Sequence, residues 1–168
     1  MYFDRKEAHD LFKIGDALVH PMHGAGYVDD IVEKVVSGTK ENYYVMRLSA
    51  GGMVVMVPVA TSGTIGVRCT VCSGDAEAAL NSFSIHEPCI NDNWNRRYRE
   101  NMVRLKSGDI MEVAAVMRGL LRRDKEKGLS TGERKMLHSA RQILFSELSM
   151  VLSLTYEDIE AQIEKLIK

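Results

Sequence analysis

Long apolar runs are missing from this chain. No stretch approaches the roughly 18 consecutive apolar residues that a membrane-spanning helix needs, so no membrane partner is expected. The opening Met1-Tyr2-Phe3-Asp4-Arg5-Lys6-Glu7 carries acidic residues and no apolar stretch, unlike a secretory leader, and the expected location is the cytoplasm. Cysteine is scarce. Three residues, an odd number without secretory context, point to a reducing compartment and not to a disulfide framework. An excess of one charge sign is lacking too. With 22 Lys and Arg against 23 Asp and Glu, the net charge is -1, and the total gives no indication of a nucleic-acid partner.

Catalytic constellations are also missing. No Ser/His/Asp or paired-carboxylate arrangement is legible from spacing. His20 and His23 sit in a proline-containing turn, His20-Pro21-Met22-His23-Gly24, where a histidine pair is more often structural or exposed than catalytic. Gly24-Ala25-Gly26 has neither the later glycine nor the following helix of a dinucleotide-binding loop. Neither an enzyme nor a cofactor is expected. No internal repeat or low-complexity segment appears.

What is present is a core-forming composition and an uneven charge map. Hydrophobic residues make up 45%, which argues against disorder. Residues 1–95 hold 7 Lys and Arg against 12 Asp and Glu, residues 96–141 hold 13 against 6, and residues 142–168 hold 2 against 5. A local basic surface acts within about one Debye length, ~8 Å at physiological salt, whatever the total charge.

Residues 1–11 read as a polar or helical lead-in. Between Phe12 and Pro58, glycines punctuate short runs rich in Val, Tyr and Met, giving candidate strands at 17–20, 26–34, 42–48 and 53–58. Ser49-Ala50-Gly51-Gly52 reads as the hairpin turn between the last two, glycine supplying positive φ. Several short strands in so few residues predict a small barrel. Gly63, Gly66 and Gly74 break the β pattern, which places a junction there. Helical spacing follows. A short helix covers 76–83, and a second, capped by Asp92 or Asn93, runs to about Lys106. A third carries Ile110, Val113, Ala114, Met117, Leu120 and Leu121 on one face. Ser130-Thr131-Gly132-Glu133 fits a capping box opening a helix with Leu137, Ala140, Leu144, Leu148 and Val151 on one side. Ile159, Ile163, Leu166 and Ile167 mark a last helix. The expected fold is α+β, a small β-barrel followed by an all-α domain. The expected divisions are an extension at 1–11, a β-domain at 12–66, a junction at 67–75 and a basic helical domain at 76–168.

Asn93-Trp94-Asn95-Arg96-Arg97-Tyr98-Arg99 sets the lone tryptophan beside three arginines, forked donors suited to phosphate oxygens. Trp94, Tyr98, Met102 and Leu105 share one helical stripe, so spacing alone favours a core position for Trp94 over a DNA contact. Arg118, Arg122 and Arg123, then Lys125, Lys127, Arg134 and Lys135, form a second basic cluster. Charge runs are usually solvated helix faces, but few acidic partners lie nearby to neutralise this one. Cys69-Thr70-Val71-Cys72 and His86-Glu87-Pro88-Cys89 have metal-ligand spacing that would suit tetrahedral zinc. The competing view, three unrelated thiols and a surface histidine, is favoured, because a helical segment holds the pairs apart. A redox dithiol at Cys69 and Cys72 lacks the surrounding thioredoxin-like pattern.

The chain resembles the CarD/CdnL family of bacterial RNA polymerase-binding regulators. Phe12-Lys13-Ile14-Gly15-Asp16, leading to His20-Pro21-Met22-His23-Gly24-Ala25-Gly26, is similar to the opening of the polymerase-interaction domain also found in transcription-repair coupling factors. The more specific stretch runs from Asn93-Trp94-Asn95-Arg96-Arg97-Tyr98 through Lys106-Ser107-Gly108-Asp109 and Arg122-Arg123-Asp124. It continues in Lys127-Gly128-Leu129-Ser130, Gly132-Glu133 and Ala140-Arg141-Gln142-Ile143-Leu144, which argues against a coupling-factor fragment. The resemblance implies a Tudor-like barrel that binds the polymerase β-subunit lobe by extending a sheet, and a helical domain at the upstream edge of melted promoter DNA. It implies a minor-groove wedge at Trp94, DNA-facing positions at Arg96, Arg97, Arg99 and Arg134, and stabilisation of the open promoter complex by a monomer. Two family arginines that face polymerase fall on Lys34 and Met56. Lys34 keeps charge without the planar fork, and Met56 loses charge. The competing classes are a protein-only interaction module and a zinc or thiol-redox sensor.

Overall fold

The computed structural model describes residues 12–86 and 93–167, so the lead-in expected at residues 1–11 and the alternative cap Asp92 lie outside the described residues. The architecture is α+β. Strands β1 (Ala17–His20), β2 (Gly24–Val36), β3 (Thr39–Leu48), β4 (Val54–Pro58) and β5 (Arg68–Cys69) form one antiparallel sheet in the order β4-β3-β2-β1-β5. A single helical turn, α1 (Ser62–Ile65), precedes β5. Then come α2 (Ser73–Asn81), α3 (Trp94–Lys106), α4 (Ile110–Lys127), α5 (Thr131–Leu152) and α6 (Tyr156–Leu166). The sheet is open. Closure into the expected barrel would need a ladder between β4 and β5, and the described residues contain none.

Alternation along the strands buries Leu18, Val28, Tyr44, Met46, Leu48 and Val57 on one side, where Phe12, Val59 and Val67 complete a small core. The Tyr44 hydroxyl accepts the Phe12 amide proton at 3.3 Å, and the two rings meet edge to face. The expected turn between β3 and β4 forms, with Gly51 and Gly52 at φ 74° and 66°. The hairpin of β2 and β3 runs further than its apolar pattern, out to a tight turn at Ser37-Gly38 with both φ values positive, a turn type whose twist matches that of the strands. β5 lies inside the expected junction. Its two residues pair with Leu18 and Val19, so the sheet continues to Cys69.

The helices enclose a second, larger core built on Val113, Ala114, Met117, Leu120, Ala140, Leu144, Leu148, Ile159 and Ile163. Val19 and Ala25 of the sheet also belong to it. That junction explains the His20–Gly26 segment. Gly24 has φ +89°, and a β-carbon there would lie 2.4 Å from the Ser146 hydroxyl of α5. The Ala25 amide donates to that hydroxyl at 2.8 Å. An ion pair between fully buried Glu147 and half-buried Arg68 completes the joint. Both Glu147 oxygens accept from Arg68, at 2.6 and 2.9 Å, and the Val71 amide adds a third bond at 3.0 Å. Arg68 Nε donates to the Gly108 carbonyl in the turn between α3 and α4.

Removing one partner of a buried pair strands the other. Glu147→Gln should lower unfolding free energy by about 2–3 kcal/mol, below the ~3–5 kcal/mol of a fully buried pair because Arg68 keeps contact with water, read from urea denaturation, and a loss under about half a kcal/mol would show that the pair does not join the two parts.

His20 Nδ1 accepts from the Met22 amide at 3.1 Å, and its ring lies 4.5 Å from that of His23. Burial, with the His23 charge second, lowers the His20 pKa from 6.5 to about 4. The unfolded chain therefore takes up a proton first as pH falls. Stability from this group is full above about pH 6.5 and is lost towards pH 4. Melting temperatures over that window should fall less steeply in His20→Asn, which keeps an acceptor for the Met22 amide and does not titrate. Identical slopes would exclude His20 as the source.

Candidate nucleic-acid interface

Two helix starts, those of α3 and α5, build this surface, and the end of α4 reaches it through Arg123. Asn93 caps α3, its side chain accepting the Arg96 amide proton at 3.2 Å. Asp109 caps α4 in the same way. Ser130 and Glu133 form the expected capping box on α5, the Glu133 amide donating to the Ser130 hydroxyl and Glu133 accepting from the Ser130 amide.

The starts of α3 and α5 meet at Trp94. Its indole Nε1 donates to the Ser130 hydroxyl oxygen at 3.0 Å. One face stacks on Tyr98, with centroids 5.3 Å apart and planes 24° from parallel. The side chain remains 42% exposed. The stripe inferred from spacing is therefore graded. Leu105 is buried, Tyr98 and Met102 are half-buried, and Trp94 stands at the exposed tip.

Of the four expected DNA-facing arginines, three reach the surface. Arg96, Arg99 and Arg134 are exposed. Arg96 is bonded to Glu100 at 2.7 Å, a solvent-screened pair one turn along α3. No carboxylate among the described residues pairs with Arg99, Arg134 or Lys135. Arg97 departs from the expectation. Its side chain points inward, only 10% exposed, and bonds Glu133 at 3.1 Å, while Arg123 lies 3.3 Å from the same oxygen. Burial alone would raise the Glu133 pKa, but hydrogen bonds from Ser130 and Arg97, with the Arg123 charge, outweigh it and hold the carboxyl below its usual range.

The second basic cluster is corrected as well. Arg118 is buried within α4 and donates to the Ser82 carbonyl at 2.8 Å. Arg122 and Arg123 are half-buried, and Lys125 reaches the Ile167 carbonyl at 3.3 Å. Much of the positive charge counted in the sequence thus braces the helices.

Cys69 and Cys72 are exposed free thiols, Cys72 donating to Asp75 at 3.3 Å. His86 is exposed, and Cys89 lies outside the described residues. Among the described residues, no group of three or more His, Cys, Asp or Glu is placed to hold a metal ion. No helix among them is long and apolar enough to cross a membrane.

Lys34 and Met56 share the outward face of the sheet. Lys34 stands opposite Glu41, and Met56 opposite Val45. Val54 and Tyr43 lie on the same face, so its centre is apolar and its margin charged. β4 is an edge strand. The Leu48 amide bond to the Met53 carbonyl sets the ladder's phase. Alternation then turns the N–H and C=O groups of Val54 and Met56 outward, away from β3.

The described residues thus join an open-edged sheet to a helical unit that carries an exposed aromatic tip beside three exposed arginines. Residues 12–68 match the family model described as "CarD-like/TRCF RID domain", and residues 78–164 match "CarD, C-terminal domain". The chain belongs to the CarD family of transcription regulators. It is 37% identical over 154 residues, 90% of this chain and 99% of the other, to the "Putative transcription factor YdeB" of Bacillus subtilis (strain 168).

A β-carbon at Gly132 would lie 3.3 Å from the Trp94 ring and 3.6 Å from that of Tyr98. Gly132→Ala should shift the Trp94 emission maximum while thermal stability holds or rises by about 0.5 kcal/mol from helix propensity. An unchanged emission would show that the indole does not rest on Gly132.

Proposed function

We propose that this protein binds RNA polymerase through the outer face and open β4 edge of its sheet, and holds the melted promoter with Trp94. The carrying observation is the half-exposed indole at the tip of α3, fixed in place and flanked by exposed Arg96, Arg99 and Arg134. An apolar wedge in the minor groove offsets a few kcal/mol of unstacking by the contact it adds. Guanidinium groups beside it neutralise phosphates without reading sequence. The outward backbone groups of Val54 and Met56 template an added strand from the polymerase β-subunit lobe. The protein acts as a monomer in the cytoplasm and makes or breaks no covalent bond. Contacts available only in melted promoter shift the equilibrium toward the open complex.

Open-complex lifetime after competitor challenge, with and without the protein, tests this. Trp94→Ala should shorten the stabilised lifetime about tenfold, the scale of one lost base–aromatic stack. Arg134→Ala should flatten the log–log salt dependence by about one phosphate's worth, ~0.9. Met56→Pro removes one outward amide without touching the β3 ladder and should abolish co-purification with polymerase. A Trp94→Ala lifetime equal to wild type would remove the wedge, and wild-type co-purification by Met56→Pro would remove strand addition. An unaltered salt slope in Arg134→Ala would favour a protein-only partner, a reading to which the Arg96–Glu100 pair lends some weight.

A further inference from the structure

Ser130 does more than cap α5. Its hydroxyl has one proton and two lone pairs, and all three are engaged. The proton goes to Glu133 Oε2 at 2.9 Å, while the oxygen accepts the Glu133 amide at 3.2 Å and the Trp94 indole N–H at 3.0 Å. The hydroxyl rotor is therefore fixed, and with it the lone pair that faces the indole. Glu133 fixes the rotor, and its other oxygen is held by Arg97, with Arg123 close by. These contacts keep the carboxylate ionised and hence an acceptor.

The geometry points to a positioning chain, Arg97–Glu133–Ser130, that aims the Trp94 indole and makes Arg97 act through Trp94 and not on a phosphate. This rests on the wedge role proposed above. It adds that the indole N–H is already committed to the protein, so the wedge offers a base step its apolar edge and not a hydrogen-bond donor. Sequence preference at that step then comes from deformability.

Trp94 is the one tryptophan in the chain, so its fluorescence reports the positioning directly in free protein. Ser130→Ala should lower steady-state anisotropy and red-shift emission, because the ring loses its tether and gains water. Ser130→Thr, which keeps hydroxyl and cap, should restore both. In the open-complex assay Ser130→Ala and Arg97→Gln should each shorten lifetime about three- to tenfold, the range of one hydrogen bond, and leave the salt slope unchanged. In Trp94→Phe, which has no N–H, the further change Ser130→Ala should have little added effect on lifetime.

The two ideas fail separately. If Trp94→Ala leaves lifetime unchanged, the wedge fails, and the fluorescence comparison still decides the positioning. If Trp94→Ala shortens lifetime but Ser130→Ala matches wild type in emission, anisotropy and lifetime, the positioning chain is overturned. A salt slope flattened by about 0.9 in Arg97→Gln would return Arg97 to phosphate contact.

Discussion

Glu147 has no solvent exposure, yet it is a carboxylate, and its charge is met on both oxygens by a guanidinium that arrives from a different part of the chain. Arg68 sits on the two-residue strand β5, and its third donor reaches the turn before α4. One side chain thus ties the sheet, α5 and the α3–α4 turn together. Moving a carboxylate into a dry interior costs several kcal/mol, which only a fully bonded partner offsets. A hydrophobic pair could be as stable, but it would tolerate sliding. A bidentate pair fixes distance and direction at once. The glycine at position 24 adds steric closeness, bringing the β1–β2 turn against Ser146 one residue before Glu147.

That joint governs everything done at a distance. The open strand edge and the indole lie on different parts of the chain, and an interaction at one can set the geometry at the other only if the connection is stiff. Val19 and Ala25, strand residues placed in the helical core, make the packing continuous across the boundary. A protein that held polymerase with one part and DNA with the other through a loose linker would gain effective concentration only. A stiff one also fixes the distance and direction from one site to the other.

Local signals made most of this fold legible. The four longer strands, the five longer helices and the Ser130 capping box depend on residues within a few positions of one another. What escaped the sequence is what depends on distant partners. β5 is too short for a pattern and exists because β1 offers it an edge. Arg97 and Arg118 look like surface charge, because Glu133 and the Ser82 carbonyl are each 36 residues away. The tether on Trp94 spans the same separation, and the Arg68–Glu147 pair spans 79. Two missed caps were within reach. Asp109 directly precedes the apolar face of α4, and Thr155 with Asp158 forms a second capping box. For Trp94, spacing put the ring on the core stripe and the resemblance put it outside. The structure places it at the stripe's exposed end, which periodicity cannot distinguish from its middle.

A large apolar ring on a surface must be kept from collapsing onto the protein or wandering in water. A free indole would lose about 0.5–1.5 kcal/mol of rotamer freedom on entering a base step, and until then it would sample orientations that clash with the duplex. Stacking on Tyr98 removes one face from water, and the bond to Ser130 removes the remaining rotation. Those losses are then met during folding, where the capping box and the Arg97–Glu133 pair would form in any case. The half-exposed ring that remains has one face and one edge to offer. This suits a wedge more than an intercalator, which needs both faces free to lie between two bases. On the wedge reading, inward-turned arginines are no loss of DNA affinity. On that same reading they aim the one ring proposed to meet the promoter, and the phosphates are left to the exposed Arg96, Arg99 and Arg134.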